Sequence, residues 1–164
     1  MSEKINAVNE KLKQLLTEEL DTFNQFKKLL VTEQEHLVSG DTSTLLDITN
    51  SKASQIDRLN ALFAEQLKVI SSLGYAADKK GITEWVEHCS SEQRQLWDSL
   101  VNLVTEIQQA NKINGKLVNT RLQHTQQLLS SLMAAANQAS LYGPSGRPEG
   151  TPQTKSARGI IGKA

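Results

Sequence analysis

The side chains able to do chemistry are few and far apart. His36, His88 and His124 fall on three separate segments, without the spacing of a metal-ligand set. Cys89 follows His88 directly, so on a helix or turn the two side chains point to different faces. The acidic pairs Glu18-Glu19 and Glu33 with Glu35 occupy polar positions of helical patterns, and no Gly-rich phosphate loop accompanies them. Solvated helix faces account for these charges. The chain therefore reads as a binding protein and not an enzyme, with no cofactor and no metal site.

The most informative short signature is polar. Asn111-Lys112-Ile113-Asn114-Gly115 interrupts a long apolar stripe that runs Leu96, Leu100, Leu103, Val104, Ile107, then Leu117, Val118, Leu122, Leu128, Leu129 and Leu132. Steps of three and four keep these residues on one helical face. Two readings of the interruption stand side by side. Asn111 and Asn114 are amides in a helical seam that set its register, with Gly115 a tolerated glycine; or Gly115 gives room for a partner backbone and the stretch is a binding point. The apolar residues Ile113, Leu117, Val118, Leu122, Leu129 and Leu132 are then the contacts for a client, unless packing within the chain uses them up.

The elements that must position this stretch are helices. Ile5, Val8, Leu12, Leu15, Leu16, Leu20, Phe23, Phe26, Leu30 and Leu37 keep a near-heptad stripe up to Ser39-Gly40-Asp41. Gly40 suits the left-handed residue that ends a helix, and Asp41 or Thr42 can cap the next. A second stripe, Leu45, Ile48, Ile56, Leu59, Leu62, Phe63, Leu67, Ile70 and Leu73, stops at Gly74. So short a turn predicts an antiparallel hairpin. Periodicity lapses between Gly74 and Ser90, where Asp78-Lys79-Lys80-Gly81 marks a loop beside a weak helix at Thr83, Trp85 and His88. Ser90 with Gln93 is a capping-box pattern that starts the long helix, and Trp85 and Trp97 are expected to anchor the core.

Three helices follow, at about 2–39, 42–73 and 90–141, with a small helix or loop at 75–89. The predicted class is all-α: an elongated antiparallel hairpin plus a long third helix, a three- to four-helix coiled-coil-like bundle with a disordered C-terminal tail. About 50 helical residues at ~1.5 Å each make the third helix a rod on the order of 75 Å. All three prolines and five of nine glycines lie beyond Tyr142, dividing the chain into a helical domain at 1–141 and a flexible tail at 142–164.

Charge and composition exclude other classes. Formal net charge is zero, but Arg147, Lys155, Arg158 and Lys163 against Glu149 make the tail basic and leave the helical part acidic, a poor nucleic-acid ligand. One cysteine excludes an internal disulfide and fits a reducing compartment. Met1-Ser2-Glu3-Lys4 leads into no continuous apolar core, and no run approaches the ~20 apolar residues of a membrane span, so a cytoplasmic protein without membrane insertion is expected.

Three segments together resemble the FlgN-type flagellar export chaperones. They are Gly40-Asp41 followed by Leu45 and Lys52, Asn111-x-x-Asn114-Gly115-x-Leu117-Val118, and Leu141-Tyr142-Gly143-Pro144-Ser145-Gly146 ahead of a basic tail. The resemblance implies a cytoplasmic, non-enzymatic chaperone of flagellar type III export, binding the C-terminal helical region of hook-filament junction (hook-associated) proteins. It also implies delivery to the cytoplasmic domain of the export gate, with Tyr142 and Gly143 as the docking site. Small-molecule substrates and nucleic acids have no place in this expectation. The rival class is a structural coiled-coil adaptor or homo-oligomeric scaffold, whose stripes would be buried by self-association.

Overall fold

A computed structural model of the chain describes residues 2–141, with side chains from 6 to 138. Four helices follow in order, α1 (Ser2–Ser39), α2 (Leu45–Ser72), α3 (Lys79–His88) and α4 (Ser91–Leu141), and no strand occurs among the described residues. The helices end where local chemistry ends them. Gly40 adopts φ +83° and its N–H donates to His36 O at 3.0 Å, while Gly74 adopts φ +93°. Around Gly74 two bonds, Gly74 N–H to Ser71 O and Tyr75 N–H to Ile70 O, close the Schellman pattern, and Ile70 and Tyr75 both belong to the core beneath it.

Two local expectations are corrected. Neither Asp41 nor Thr42 caps α2, which begins at Leu45 with Thr44 before it. The Asp41 carboxylate instead accepts from the Ser43 hydroxyl (2.7 Å) and backbone N–H (3.0 Å), bonds that lower its pKa, and the Thr44 hydroxyl pairs with His36 Nε2 at 3.1 Å. These side chains close the turn and leave none for the cap. Gly81, expected in a loop, lies inside α3, whose first turn is capped by Asp78 accepting from Gly81 N–H at 3.0 Å. The glycine is required by proximity: a Cβ there would stand 1.9 Å from Ala76 O, because the chain entering α3 folds back on the helix.

Cross-helix polar pairs define the topology. Between α1 and α2, Gln25 meets Gln55, Glu19 meets Gln66 and Lys11 meets Glu65, so one number falls as the other rises and the helices are antiparallel. Between α1 and α4 the numbers rise together: Asn9 with Gln93, Leu30 with Asn114 and Leu37 with Arg121 are each separated by 84 positions, and Lys13 with Glu92 and Lys27 with Glu106 by 79. Helices α1 and α4 are therefore parallel and in constant register.

The core follows this arrangement. Leu12, Leu16, Ile70, Ile82, Trp85 and Leu100 form one buried cluster, and Phe26, Leu30, Leu103 and Ile107 a second. Trp85 and Trp97 meet edge to face at 6.3 Å between ring centroids, which places both expected anchors where α3 and α4 close the bundle. The chain separates into two units, through Arg121 and from Leu122 onward, and all these contacts lie in the first.

One buried polar contact interrupts the α1–α2 core: Gln66 donates to the Glu19 carboxylate, and both residues are almost wholly buried. Burial raises the Glu19 pKa, and the Gln66 bond opposes that rise. The protonated acid thus suits the fold. Its stabilising contribution is complete below the ordinary glutamate value, about 4.3, and is lost as pH rises through the raised folded value. Glu19→Gln should accordingly raise the thermal unfolding midpoint at pH 7 and show less advantage at pH 4; equal shifts at both pH values would remove Glu19 as the source. Gly81→Ala should cost about 2 kcal/mol or more in urea unfolding, because backbone, not a side-chain tip, has to move.

Candidate functional site

Helix α4 starts as its sequence requires. Ser90 N–H donates to Gln93 Oε1 at 3.1 Å and Gln93 N–H donates to Ser90 Oγ at 3.3 Å, a reciprocal capping box. Gln93 is also buried and sends Nε2 to Asn9 O at 3.1 Å, so the residue that begins α4 ties it to α1.

The residues of the polar interruption part company. Asn114 is 2 % exposed and donates through Nδ2 to Leu30 O and to Glu33 Oε2, each at 2.8 Å. It is a register residue of the seam. Asn111 is exposed, 3.5 Å from Lys52 Nζ, which itself lies 2.9 Å from Glu33 Oε2. Gly115 is exposed and a Cβ there would meet nothing within 4 Å, so no close approach inside the chain demands it. Leu117 is half-buried, whereas Ile113 and Val118 are each 47 % exposed.

Arg121 is a structural residue that periodicity does not single out. Its Nε donates to Leu37 O at 2.9 Å and its Nη2 to Val38 O at 2.6 Å, filling carbonyls left without partners at the end of α1. The open carbonyls are foreseeable from the helix end. Their donor lies 84 positions away, and only the α1–α4 register identifies it.

In the second unit Leu122, Leu129 and Leu132 are exposed, as is every described side chain up to Gln138. At 100° per residue Leu122, Leu129, Leu132 and Met133 share an arc of about 100°. Leu132 and Met133 are 66 % and 67 % exposed, far beyond an ordinary core position. Met133 extends the stripe by one residue that the leucine pattern omits. Tyr142 and Gly143 lie outside the described residues.

The ionisable groups that invited chemical interpretation are engaged locally. His88 Nδ1 is 2.8 Å from Glu84 O, and His36 Nδ1 is 3.3 Å from Asp41 Oδ2. Cys89 donates to Val86 O, and burial pushes its thiol pKa up, opposite to what a nucleophile needs. A cavity of about 750 Å³ opens beside Asn9, Tyr75, Trp85, Cys89 and Gln93, but its charged groups Lys13 and Glu92 are bound to each other. Among the described residues no three His, Cys, Asp or Glu groups are placed to hold a metal ion, and no helix is long and apolar enough to cross a membrane.

Known proteins share this pattern. The family model of the FlgN protein matches residues 1–150. Two flagella synthesis proteins FlgN of Yersinia enterocolitica, one from serotype O:8 / biotype 1B, are each 26 % identical over 145 residues, 87 % of this chain and 92 % of theirs. A 1.48 Å crystal structure described as a flagella synthesis protein FlgN from Pseudomonas aeruginosa superposes with a TM-score of 0.58 at 22 % identity, covering 66 % of this chain and 87 % of its own, which bears on the fold. With its helical hairpin, its long α4 and a family match over nearly its whole length, the chain belongs to the FlgN family of flagella synthesis proteins.

Proposed function

We propose that this chain is a cytoplasmic, non-enzymatic chaperone of flagellar type III export. It captures the C-terminal helical region of hook-filament junction proteins, prevents their premature assembly and delivers them to the export gate. The carrying observation is the stripe Leu122, Leu129, Leu132 and Met133, apolar side chains at helical spacing that lie exposed in a FlgN-family protein. An amphipathic client helix laid along such a face buries apolar surface on both partners. Each leucine removed from water contributes about 1.5–3 kcal/mol, and several are needed against the entropic cost of association. Ile113 and Val118 supply further exposed apolar contacts in the first unit. Residues 1–141 form the chaperone domain in this reading, and residues 142–164 its basic tail.

Leu129→Glu or Leu132→Glu should weaken binding of a junction-protein C-terminal fragment by about a hundred-fold, measured by calorimetry, while circular dichroism and unfolding temperature stay at parental values. Collapse of the fold would instead make these residues core. Sedimentation of the parent alone tests the rival reading, since a stable homodimer dissolved by the same substitutions would make the stripe a self-association seam.

Gate docking is assigned to Tyr142, with Gly143 beside it. Tyr142→Ala should leave folding and client binding intact while reducing affinity for the gate's cytoplasmic domain by roughly 2 kcal/mol. Unchanged affinity would return Tyr142 to a role at the helix end.

A further inference from the structure

The notch beside Asn114 has a chemistry of its own. It is an open cavity of about 370 Å³ in the first unit, lined by Glu33 of α1, Lys52 of α2, and Asn111, Asn114, Gly115 and Val118 of α4. Three observations there are independent. Asn114 is 2 % exposed with both Nδ2 bonds made, yet its Oδ1 is shielded from solvent and has no hydrogen-bond partner. Such an acceptor leaves a free-energy cost that an incoming donor recovers. Gly115 adds no side chain, and the space its Cβ would occupy is open. Glu33 and Lys52, only 13 % and 19 % exposed in their side chains, neutralise each other, with Lys52 Nζ 3.1 and 2.9 Å from the two carboxylate oxygens.

We propose that this notch is a subsite for a neutral carboxamide, the side chain of an asparagine or glutamine on a partner helix. A carboxamide donates N–H to Asn114 Oδ1, and its carbonyl accepts from the side-chain amides of Asn111 or Asn119 at the rim. Neutrality follows from the internal ion pair. A carboxylate entering the notch would face Glu33 and compete for Lys52, and an ammonium would face Lys52, so either charge disturbs a pair already balanced in a poorly solvated place. Val118 gives the methylene stem of the entering side chain an apolar wall. The inference deepens the proposed function by naming one contact of a helical client. It is tested with small amides, so its failure would leave the client-binding experiment on Leu129 and Leu132 standing, and the reverse.

The experiment is a titration of the isotope-labelled full chain with propionamide, propionate and propylammonium, followed by amide and side-chain amide resonances. Propionamide should shift Asn111, Asn114 and Gly115 saturably, with the two charged probes weaker by about ten-fold or more. Gly115→Leu, which fills the notch from a position where an added Cβ meets open space, should abolish the propionamide shifts while keeping the helical spectrum and unfolding temperature. Equal response to propionate, absence of saturable shifts at Asn114, or full retention of them in folded Gly115→Leu would each overturn the assignment. If that variant fails to fold, the three-probe comparison on the unaltered chain decides alone.

Discussion

Three side chains of α4 reach backbone carbonyls of α1, and the fold depends on them. Gln93, Asn114 and Arg121 donate to Asn9, Leu30 and Leu37, always 84 positions apart. Leucine stripes alone permit two parallel helices to slide by a turn of about 5.4 Å with modest loss, because apolar contact is non-directional. A hydrogen bond to a particular carbonyl does not. Two of these donors, Gln93 and Asn114, are themselves buried, so a slipped register would strand amides away from water.

The same contacts give α4 a changing character along its length. In the first unit its stripe is shared between burial and exposure, with Leu103 and Ile107 covered and Val101, Ile113 and Val118 only half covered. Leu122, Leu128, Leu129, Leu132 and Met133 of the second unit are all more than half exposed. Helix α1 ends at Ser39, and Arg121 meets its last carbonyls. An uncovered apolar face on a regular helix is costly in water, and a partner helix is the simplest structure that removes that cost. This is the physical basis of a chaperone reading that needs no nucleotide and no catalytic group.

Polar residues in the seams serve specificity more than stability. Glu19 with Gln66 between α1 and α2, and Glu33 with Lys52 and Asn114 where three helices meet, replace apolar contacts that would bury more surface. Desolvating them offsets much of what they contribute, but each pairing is available in one alignment only. The hairpin and α4 are thus aligned by a few directional contacts over a core of interchangeable leucines.

What the amino-acid sequence determined by itself was local. Helix ends at Gly40, Gly74 and the Ser90–Gln93 box, the apolar stripes and the all-α class follow from capping and periodicity, which involve residues within a few positions of one another. The cap of α2 was misassigned because Asp41, Ser43 and Thr44 have several partners within reach, and the three-dimensional turn selects among them. Tertiary structure alone decided the rest. Leu103 and Leu129 have the same type and the same periodic surroundings, yet one is 8 % exposed and the other 55 %. Nothing in their neighbourhoods along the chain distinguishes them, because burial depends on whether another helix lies opposite, and that is set by the register of α1 against α4 through residues 84 positions apart.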